Sequence, residues 1–392
     1  NRYLEDVARA NKLICNIDLV TDNSLTTAER AQYKAEAKIF RAMVMFDMVR
    51  LWGDFPVITT VADDITSENI DEVYPQYFPK QNTELEAYQQ IEKDLLDAVL
   101  YAPDNTPGNK TLFSKSVART LLAKIYAEKP LRDYTKVIQY CDEVKADGFD
   151  LVDDFSDLFG MNAAGTDAKM RNTKESILEA QFTSGAGNWC TWMFGRDLVN
   201  WNNNFTWAKW VTPSRDLISA FKQEGDEVRF KESIVYYDCN WSNYYPSDNY
   251  PFMYKCRSAN SSIIKYRYAD VLLLKAEALI MQDTPDLEGA ADIIDEVRDR
   301  AKLGALPTSV RSNKNVLLNA LLKERRLELA FEGQRWFDLV RLDKVEEVMN
   351  AVYSKDSGRK AQIYTFDKNS YRLPIPQSVI DANDKIHQNP GY

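Results

Sequence analysis

The chain has 392 residues, with 49 lysines and arginines against 59 aspartates and glutamates, and a formal charge of −10. An acidic chain does not attract a phosphate backbone, so we predict no nucleic-acid partner. Its apolar stretches fall short of the ~20 residues that cross a bilayer, so we also predict no transmembrane helix. A single histidine, His387, excludes sites that need two histidines or a buried Ser-His-Asp triad. The five cysteines include no Cys-x-x-Cys pair of the kind that binds zinc or forms a redox dithiol. We therefore predict no metal and no cofactor.

Helical periodicity dominates residues 1–150 and 265–392, where apolar residues recur at three- and four-residue steps. The predicted helices form four pairs: 1–18 with 28–52, 85–100 with 116–128, 268–281 with 287–301, and 316–331 with 336–352; a further helix covers 134–146. Small residues on these segments allow close approach of neighbouring helices, as in degenerate tetratricopeptide-like units. We therefore predict a mostly α-helical fold whose helix pairs form a curved scaffold, with minor β-structure.

The middle of the chain has a different composition. Residues 189–254 contain six of the eight tryptophans, interleaved with asparagines, and lack long helical periodicity. This pattern is typical of an irregular, loop-rich excursion carried by a regular scaffold. We expect a single domain over 1–392, with the scaffold in 1–150 and 265–392 and a ligand-binding excursion in about 150–265.

The excursion carries the strongest signal for ligand binding. Sugar rings present apolar C–H faces and polar hydroxyls, so a glycan site combines flat aromatic side chains with amides. The predicted ligand-binding residues are Trp189, Trp192, Trp201, Asn202, Asn203, Trp207, Trp210 and Trp241. The alternative is that half or more of these tryptophans pack beneath the loops, because tryptophan is highly buried on average.

A charged block near the C-terminus allows two interpretations. Glu324, Glu328 and Glu332 are four residues apart and share one face of a predicted helix, as a catalytic carboxylate pair could. The arginines expected to neutralise them are Arg325, Arg326, Arg335 and Arg341. An acid–base pair needs one carboxylate with a raised pKa in an apolar pocket, which this charged context does not indicate. We therefore predict structural ion pairs and no catalytic residue.

Two further motifs have structural explanations. The acidic residues in 147–157 could supply oxygen ligands to calcium, but they lack the spacing and the glycine of an EF-hand loop, so we predict no metal there. In the second motif, Gly53 is predicted to end a helix with positive φ, Asp54 to accept backbone hydrogen bonds, and Pro56 to prevent helical continuation.

Four sequence blocks together resemble the SusD/RagB-like family of outer-membrane nutrient-binding lipoproteins. The blocks are EAKIFRA at 36–42 with GDFP at 53–56, YADVLLLKAEA at 268–278, ERRLELAFEGQRWFDLVR at 324–341, and PIP at 374–376 with QNPGY at 388–392. Weaker similarity extends over essentially the whole chain. Family members carry a further N-terminal stretch with a lipidated cysteine behind a signal peptide. We therefore expect that the N-terminal part of the family domain is absent from this sequence.

The resemblance implies a cell-surface protein, anchored to the outer membrane by lipid, that binds a glycan, polysaccharide or oligosaccharide. Its implied partner is a SusC-like TonB-dependent transporter, to which the ligand is delivered without a chemical reaction. RagB-like members handle peptides, so a peptide-binding uptake protein remains an alternative. Two further alternatives are a helical glycoside hydrolase and a purely structural scaffold.

Overall fold

A computed structural model describes residues 2–183, 187–188, 211–238, 245–246, 248–355 and 365–392. The helices are α1 (Arg2–Asn16), α2 (Thr27–Trp52), α3 (Ile70–Val73), α4 (Glu84–Tyr101), α5 (Lys115–Ala127), α6 (Tyr134–Ala146), α7 (Ser156–Phe159), α8 (Arg215–Glu224), α9 (Glu227–Ser233), α10 (Tyr268–Met281), α11 (Leu287–Arg300), α12 (Thr308–Arg311), α13 (Lys314–Glu328), α14 (Arg335–Arg341), α15 (Val345–Lys355) and α16 (Gln377–Ala382). The strands are β1 (Ser176–Ala180), β2 (Ile234–Tyr237), β3 (Tyr250–Met253) and β4 (Ile263–Arg267).

The long helices pack as a continuous series, which confirms the prediction of a mostly α-helical fold. α2 packs against both α1 and α4, α5 against both α4 and α6, and α10 against α6, α11 and α13. Phe46, Tyr88, Leu121 and Leu273 belong to their shared core and are at most 1% exposed. Within the described ranges, no helix combines the length and the apolar character that a membrane span requires.

The turn at the end of α2 forms as its sequence predicts. Gly53 ends α2 with a φ of 73°, a conformation that costs glycine little. Asp54 Oδ1 then accepts a hydrogen bond of 2.8 Å from the backbone N–H of Glu84. At the start of α4, Thr83 and Glu86 form a capping box that satisfies otherwise free N–H groups. These local bonds fix where α2 ends and where α4 begins.

The fourth predicted helix pair differs from the structure. α13 ends at Glu328 and not at 331, because the chain turns where Phe331 and Gly333 adopt φ values of 66° and 75°. The predicted helix over 336–352 is two helices, α14 and α15, separated where Asp343 adopts a φ of 54°. Apolar residues keep a helical spacing across both breaks, so periodicity alone does not reveal them.

All strands in the described ranges lie between Ser176 and Arg267, within the segment that the sequence sets apart. β1 pairs antiparallel with β4, and β2 pairs antiparallel with β3. An apolar cluster formed by α8, β2, β3 and the end of α13 includes Phe221, Phe252 and Leu327. The excursion therefore packs onto the scaffold through a core of its own.

Candidate functional site

Buried ion pairs join the excursion to the scaffold. Arg229 of α9 is fully buried and donates from Nη1 to Glu324 Oε1 at 2.6 Å and to Glu328 Oε2 at 3.0 Å. Arg267, at the end of β4, donates to Glu175 at 2.7 Å and to Glu328 Oε1 at 2.5 Å. Removal of one partner from such a network leaves an uncompensated buried charge. The network therefore holds α9 and β4 against α13.

The predicted ion pairing of Glu324 and Glu328 is confirmed, but the predicted partners are wrong. Their arginines come from α9, β4 and α11, whereas the arginines near them in sequence bond elsewhere: Arg325 to Asp270 and Asp338, Arg326 to Asp216, Arg335 to the Leu322 carbonyl, and Arg341 to Glu277 and Asp338. Neighbouring positions on a helix point to different faces, so proximity in sequence does not select the partner.

These glutamates are shielded from any ligand. Glu324 is 2% exposed and Glu328 is 0% exposed. Burial alone would raise the pKa of Glu328, but Arg300, Arg267 and Arg229 hold that pKa well below its ordinary value. Burial raises the pKa of Glu324, against the lowering effect of Arg229. Both carboxylates thus bond to arginines in the interior, where a sugar substrate has no access.

The acidic residues in 147–157 are neutralised by nearby cations. Arg119 pairs with Asp147, Lys174 with Asp150 and Asp153, and Lys169 with Asp154 and Asp157. In the part of the chain that the structure describes, no group of three or more histidine, cysteine or acidic side chains is arranged to hold a metal ion. The acidic run is therefore explained by ion pairing.

The predicted ligand-binding residues lie outside the described residues: Trp189, Trp192, Trp201, Asn202, Asn203, Trp207, Trp210 and Trp241. The described chain next to them in sequence forms a cleft. α8 begins shortly after Trp210, and Tyr245 follows shortly after Trp241. Both α8 and Tyr245 line this cleft, which we call the α8 cleft.

The α8 cleft has a volume of about 480 Å³. Its described lining consists of Arg215, Ile218, Ser219, Lys222, Gln223, Tyr236, Tyr245, Pro246 and Asn249. The first five residues come from α8 and are spaced three and four apart, so they share one face of that helix. The opposite side of the helix is anchored by Phe221, which is 1% exposed within the core of the excursion.

Tyr245 forms a fixed wall of the cleft. Its hydroxyl donates a hydrogen bond of 2.7 Å to the carbonyl of Pro213, just before α8. The guanidinium of Arg215 lies 5.1 Å from the centre of its ring, within the range of a cation–π contact. The ring also packs edge-on against Tyr250 of β3, with the two centres 5.6 Å apart. The start of α8 and the β2–β3 sheet are thereby held together.

Several polar side chains in the cleft remain available to a ligand. The Lys222 ammonium, the Tyr236 hydroxyl and the Asn249 amide make no hydrogen bond or ion pair with any described residue. Gln223 donates to Ser219 Oγ at 3.1 Å, which leaves its own amide oxygen as an acceptor. The cleft thus combines aromatic surface with donors and acceptors that the fold does not use.

A larger cavity of about 880 Å³, the terminal groove, has the opposite character. It is lined mainly by apolar and aromatic side chains of α1, the segment after α2, and α16, including Tyr3, Trp52 and Phe78. Its two amide side chains already bond within the fold. The Gln81 amide donates to the Asp54 carbonyl at 3.0 Å and accepts from the His387 N–H at 2.9 Å, and Asn383 donates to the Pro79 carbonyl at 2.8 Å. Volume alone therefore does not identify the glycan site.

The cleft residues of α8 were missed by the sequence analysis. A detectable signal exists, because polar residues recur at positions 215, 219, 222 and 223 while Leu217 and Phe221 lie on the other side of the same helix. The helix is short and follows a segment rich in aromatic residues, so its periodicity was not recognised. Tyr236 offers no comparable signal, because its place in the cleft depends on the pairing of β2 with β3.

Similar folds occur among solved structures. A laminarin binding SusD-like protein matches 100% of this chain and 84% of its own, with 24% identity and a TM-score of 0.74. Surface glycan-binding protein A of Bacteroides thetaiotaomicron, solved in complex with laminarihexaose, matches 99% of this chain and 84% of its own, with 20% identity and a TM-score of 0.76. At these identities, the similarity establishes the fold.

Sequence comparisons agree with the fold. The SusD-like protein P2 of Formosa agariphila is 28% identical over 98% of this chain and 78% of its own length. A model described as "Starch-binding associating with outer membrane" matches residues 1–127, and the SusD family model matches residues 250–392. The resemblance to the SusD/RagB-like family predicted from the four sequence blocks is therefore confirmed, and SusD family models match both ends of the chain.

Proposed function

We propose that this protein binds a glycan in the α8 cleft and delivers it to a TonB-dependent transporter in the outer membrane. The observation that carries the proposal is the set of unused polar groups beside aromatic surface: the Tyr236 hydroxyl, the Asn249 amide and the Gln223 amide oxygen. Aromatic rings cover the C–H faces of a sugar, and amides exchange hydrogen bonds with its hydroxyls. Glycan binding by the laminarin and laminarihexaose relatives supports the same ligand class.

The tryptophans and asparagines predicted from sequence would extend this site. Residues 189–210 are separated from the start of α8 by four residues, and residues 239–244 directly precede Tyr245, so both segments are neighbours of cleft residues in sequence. Their contact with the ligand remains a prediction. The buried bonds of Glu328 to both Arg229 and Arg267 support our view that excursion and scaffold act as one domain.

We place the protein at the cell surface, held by a lipid anchor and in contact with a SusC-like transporter. The family description, which associates members with the outer membrane, supports this location. A tagged copy expressed in the source bacterium should co-purify with one TonB-dependent transporter from solubilised outer membranes. Recovery without any such transporter would contradict the delivery step and leave glycan binding unaffected.

The alternatives are less well supported. A site for basic peptides needs carboxylates, and the described lining of the cleft contains two cations and no carboxylate. A glycoside hydrolase built on Glu324 and Glu328 would need substrate access to two carboxylates that are buried among arginines.

The direct test is a glycan array followed by titration calorimetry with the best ligand. Tyr236→Phe and Asn249→Ala each remove polar groups of the cleft, and each should weaken binding roughly threefold to tenfold, the value of a lost hydrogen bond. Tyr77→Ala truncates an aromatic residue of the terminal groove and serves as the control. If Tyr77→Ala abolishes binding while both cleft variants bind as the parent does, the glycan site lies in the terminal groove.

A further inference from the structure

The charges of α8 are sorted between its two sides. The helix contains two cations, Arg215 and Lys222, and two carboxylates, Asp216 and Glu224. Both cations line the α8 cleft, and neither carboxylate does. A helix that is neutral in sequence therefore presents a positive face to the cleft.

Ion pairs with the scaffold hold both carboxylates away from the cleft. Arg326 lies 2.6 Å and Lys355 lies 3.5 Å from the carboxylate of Asp216 at the start of α8. At the other end, Arg298 lies 2.7 Å from Glu224, which also pairs with Lys323. Four cations of the scaffold thus match the two carboxylates of α8, and the charged side chains in the described lining of the cleft are both cations.

The pKa values agree with this arrangement. Burial alone would raise the pKa of Asp216, but its hydrogen bond to Arg326 and the charge of that arginine lower it. Burial opposes ionisation of Glu224 as well, and bonds to Lys323 and Arg298 again lower its pKa. Both carboxylates stay ionised and bound to the scaffold, so they do not cancel the positive charge facing the cleft.

Building on the proposed function, we propose that the glycan recognised by the α8 cleft is acidic and carries carboxylate or sulfate groups. The described lining has no carboxylate to repel such a ligand, although the chain as a whole carries a charge of −10. Arginine binds planar or tetrahedral oxyanions through a fork of donors, and lysine acts as a mobile point charge. Residues 215 and 222 are two helical turns apart, roughly 10 Å along the axis, so they meet charges on different sugar units.

Pairs of ligands that differ only in charge separate the effect of charge on affinity from the effect of sugar identity. An oligogalacturonide is compared with its fully methyl-esterified form, and a sulfated galactan oligosaccharide with its desulfated form, by calorimetry at low and at high salt. We expect the charged member of at least one pair to bind roughly tenfold tighter than its neutral form, and added salt to weaken only the charged member. The pair that responds tells whether carboxylate or sulfate is recognised.

Single substitutions in the α8 cleft test which residues cause the preference for charged ligands. Lys222→Gln should weaken the charged ligand roughly fivefold, in line with a solvent-accessible ion pair, and should weaken the neutral ligand much less. Arg215→Gln should also weaken the charged ligand more than the neutral one. Lys93→Gln, which removes an exposed charge from α4, is the matched control and should bind as the parent does. Because Arg215 also contacts Tyr245, Arg215→Lys keeps the charge and should retain most of the affinity.

Two results would overturn the proposal. If neutral forms bind as tightly as charged forms, or if Lys222→Gln weakens both equally, recognition of an acidic glycan is wrong while glycan binding stands. If neither these ligands nor any glycan on the array binds, the proposed function fails as well.

Discussion

Two helices, α10 of the scaffold and α8 of the excursion, use their charged residues in opposite ways. In α10, Asp270 pairs with Lys124 and Arg325, and Glu277 pairs with Arg341, all with side chains at most 7% exposed. In α8, the carboxylates bond to the scaffold, but Arg215, Lys222 and Gln223 line an open cleft. Charge in the scaffold stabilises the fold, whereas part of the charge in the excursion lines the cleft that we propose as the ligand site. Mutations in the two regions should therefore separate stability from binding.

The largest effect is expected from Glu328→Gln. The substitution leaves Arg229, Arg267 and Arg300 without a shared carboxylate in the interior, which should lower the free energy of unfolding by about 3–5 kcal/mol. Chemical denaturation measures this change. Ligand affinity of the folded variant should stay within about twofold of the parent. A glycan affinity lost without loss of stability would contradict the comparison and revive the enzyme hypothesis.

Acid should produce the next largest effect. The pKa of Glu328 is lowered well below its ordinary 4.5, so the stability it contributes is present above pH 4.5 and is lost as the pH falls towards the folded-state pKa. The difference in unfolding free energy between the parent and Glu328→Gln should therefore shrink below pH 4.5. Denaturation series at pH 7 and at lower pH test this expectation. If the difference in unfolding free energy grows on acidification, the lowered pKa of Glu328 is contradicted.

A smaller effect is expected from Gly53→Ala in the scaffold. A side chain at φ 73° is strained, and the new Cβ would lie 3.0 Å from Glu84 Oε1. The substitution should cost about 1–2 kcal/mol of stability without changing ligand affinity. Gly108→Ala is the matched control, because its φ is not positive and its Cβ would meet nothing within 4 Å. Equal thermal stability of the two variants would show that the turn carries no strain.

The smallest effect on stability is expected at the boundary between the regions. Asp216→Asn weakens the ion pair with Arg326, whose side chain is 21% exposed, so stability should fall by at most about 1 kcal/mol. Because this pair holds the start of α8, affinity for the glycan should fall about twofold to threefold by calorimetry, a loss of the same size. Lys93→Gln again controls for a change of surface charge. Unchanged affinity would show that α8 is positioned without this ion pair.

Sequence patterns predicted the scaffold better than the site. Periodicity places most helices because the core face of a long helix repeats along the chain, and Gly53 marks a turn through its own backbone preference. The partners of Glu328 were not predictable, because Arg229 and Arg267 lie 99 and 61 residues away in sequence and are brought together only by packing. The lining of the α8 cleft combines one face of a helix with residues from a strand pair, and a local sequence pattern cannot predict which separate segments pack together.

The buried bonds of Glu328 also bear on the order in which the protein can assemble as it is synthesised. Arg229 and Arg267 leave the ribosome well before α13, so their guanidinium groups have no internal carboxylate from that helix at first. Arg267 can meet Glu175 earlier, but the bonds of both arginines to Glu328 wait for α13. Until then water solvates part of each charge, which opposes premature collapse of the excursion onto the first helices. The excursion is thus expected to settle only after one of the last long helices has emerged, which keeps the nascent chain open late in its synthesis.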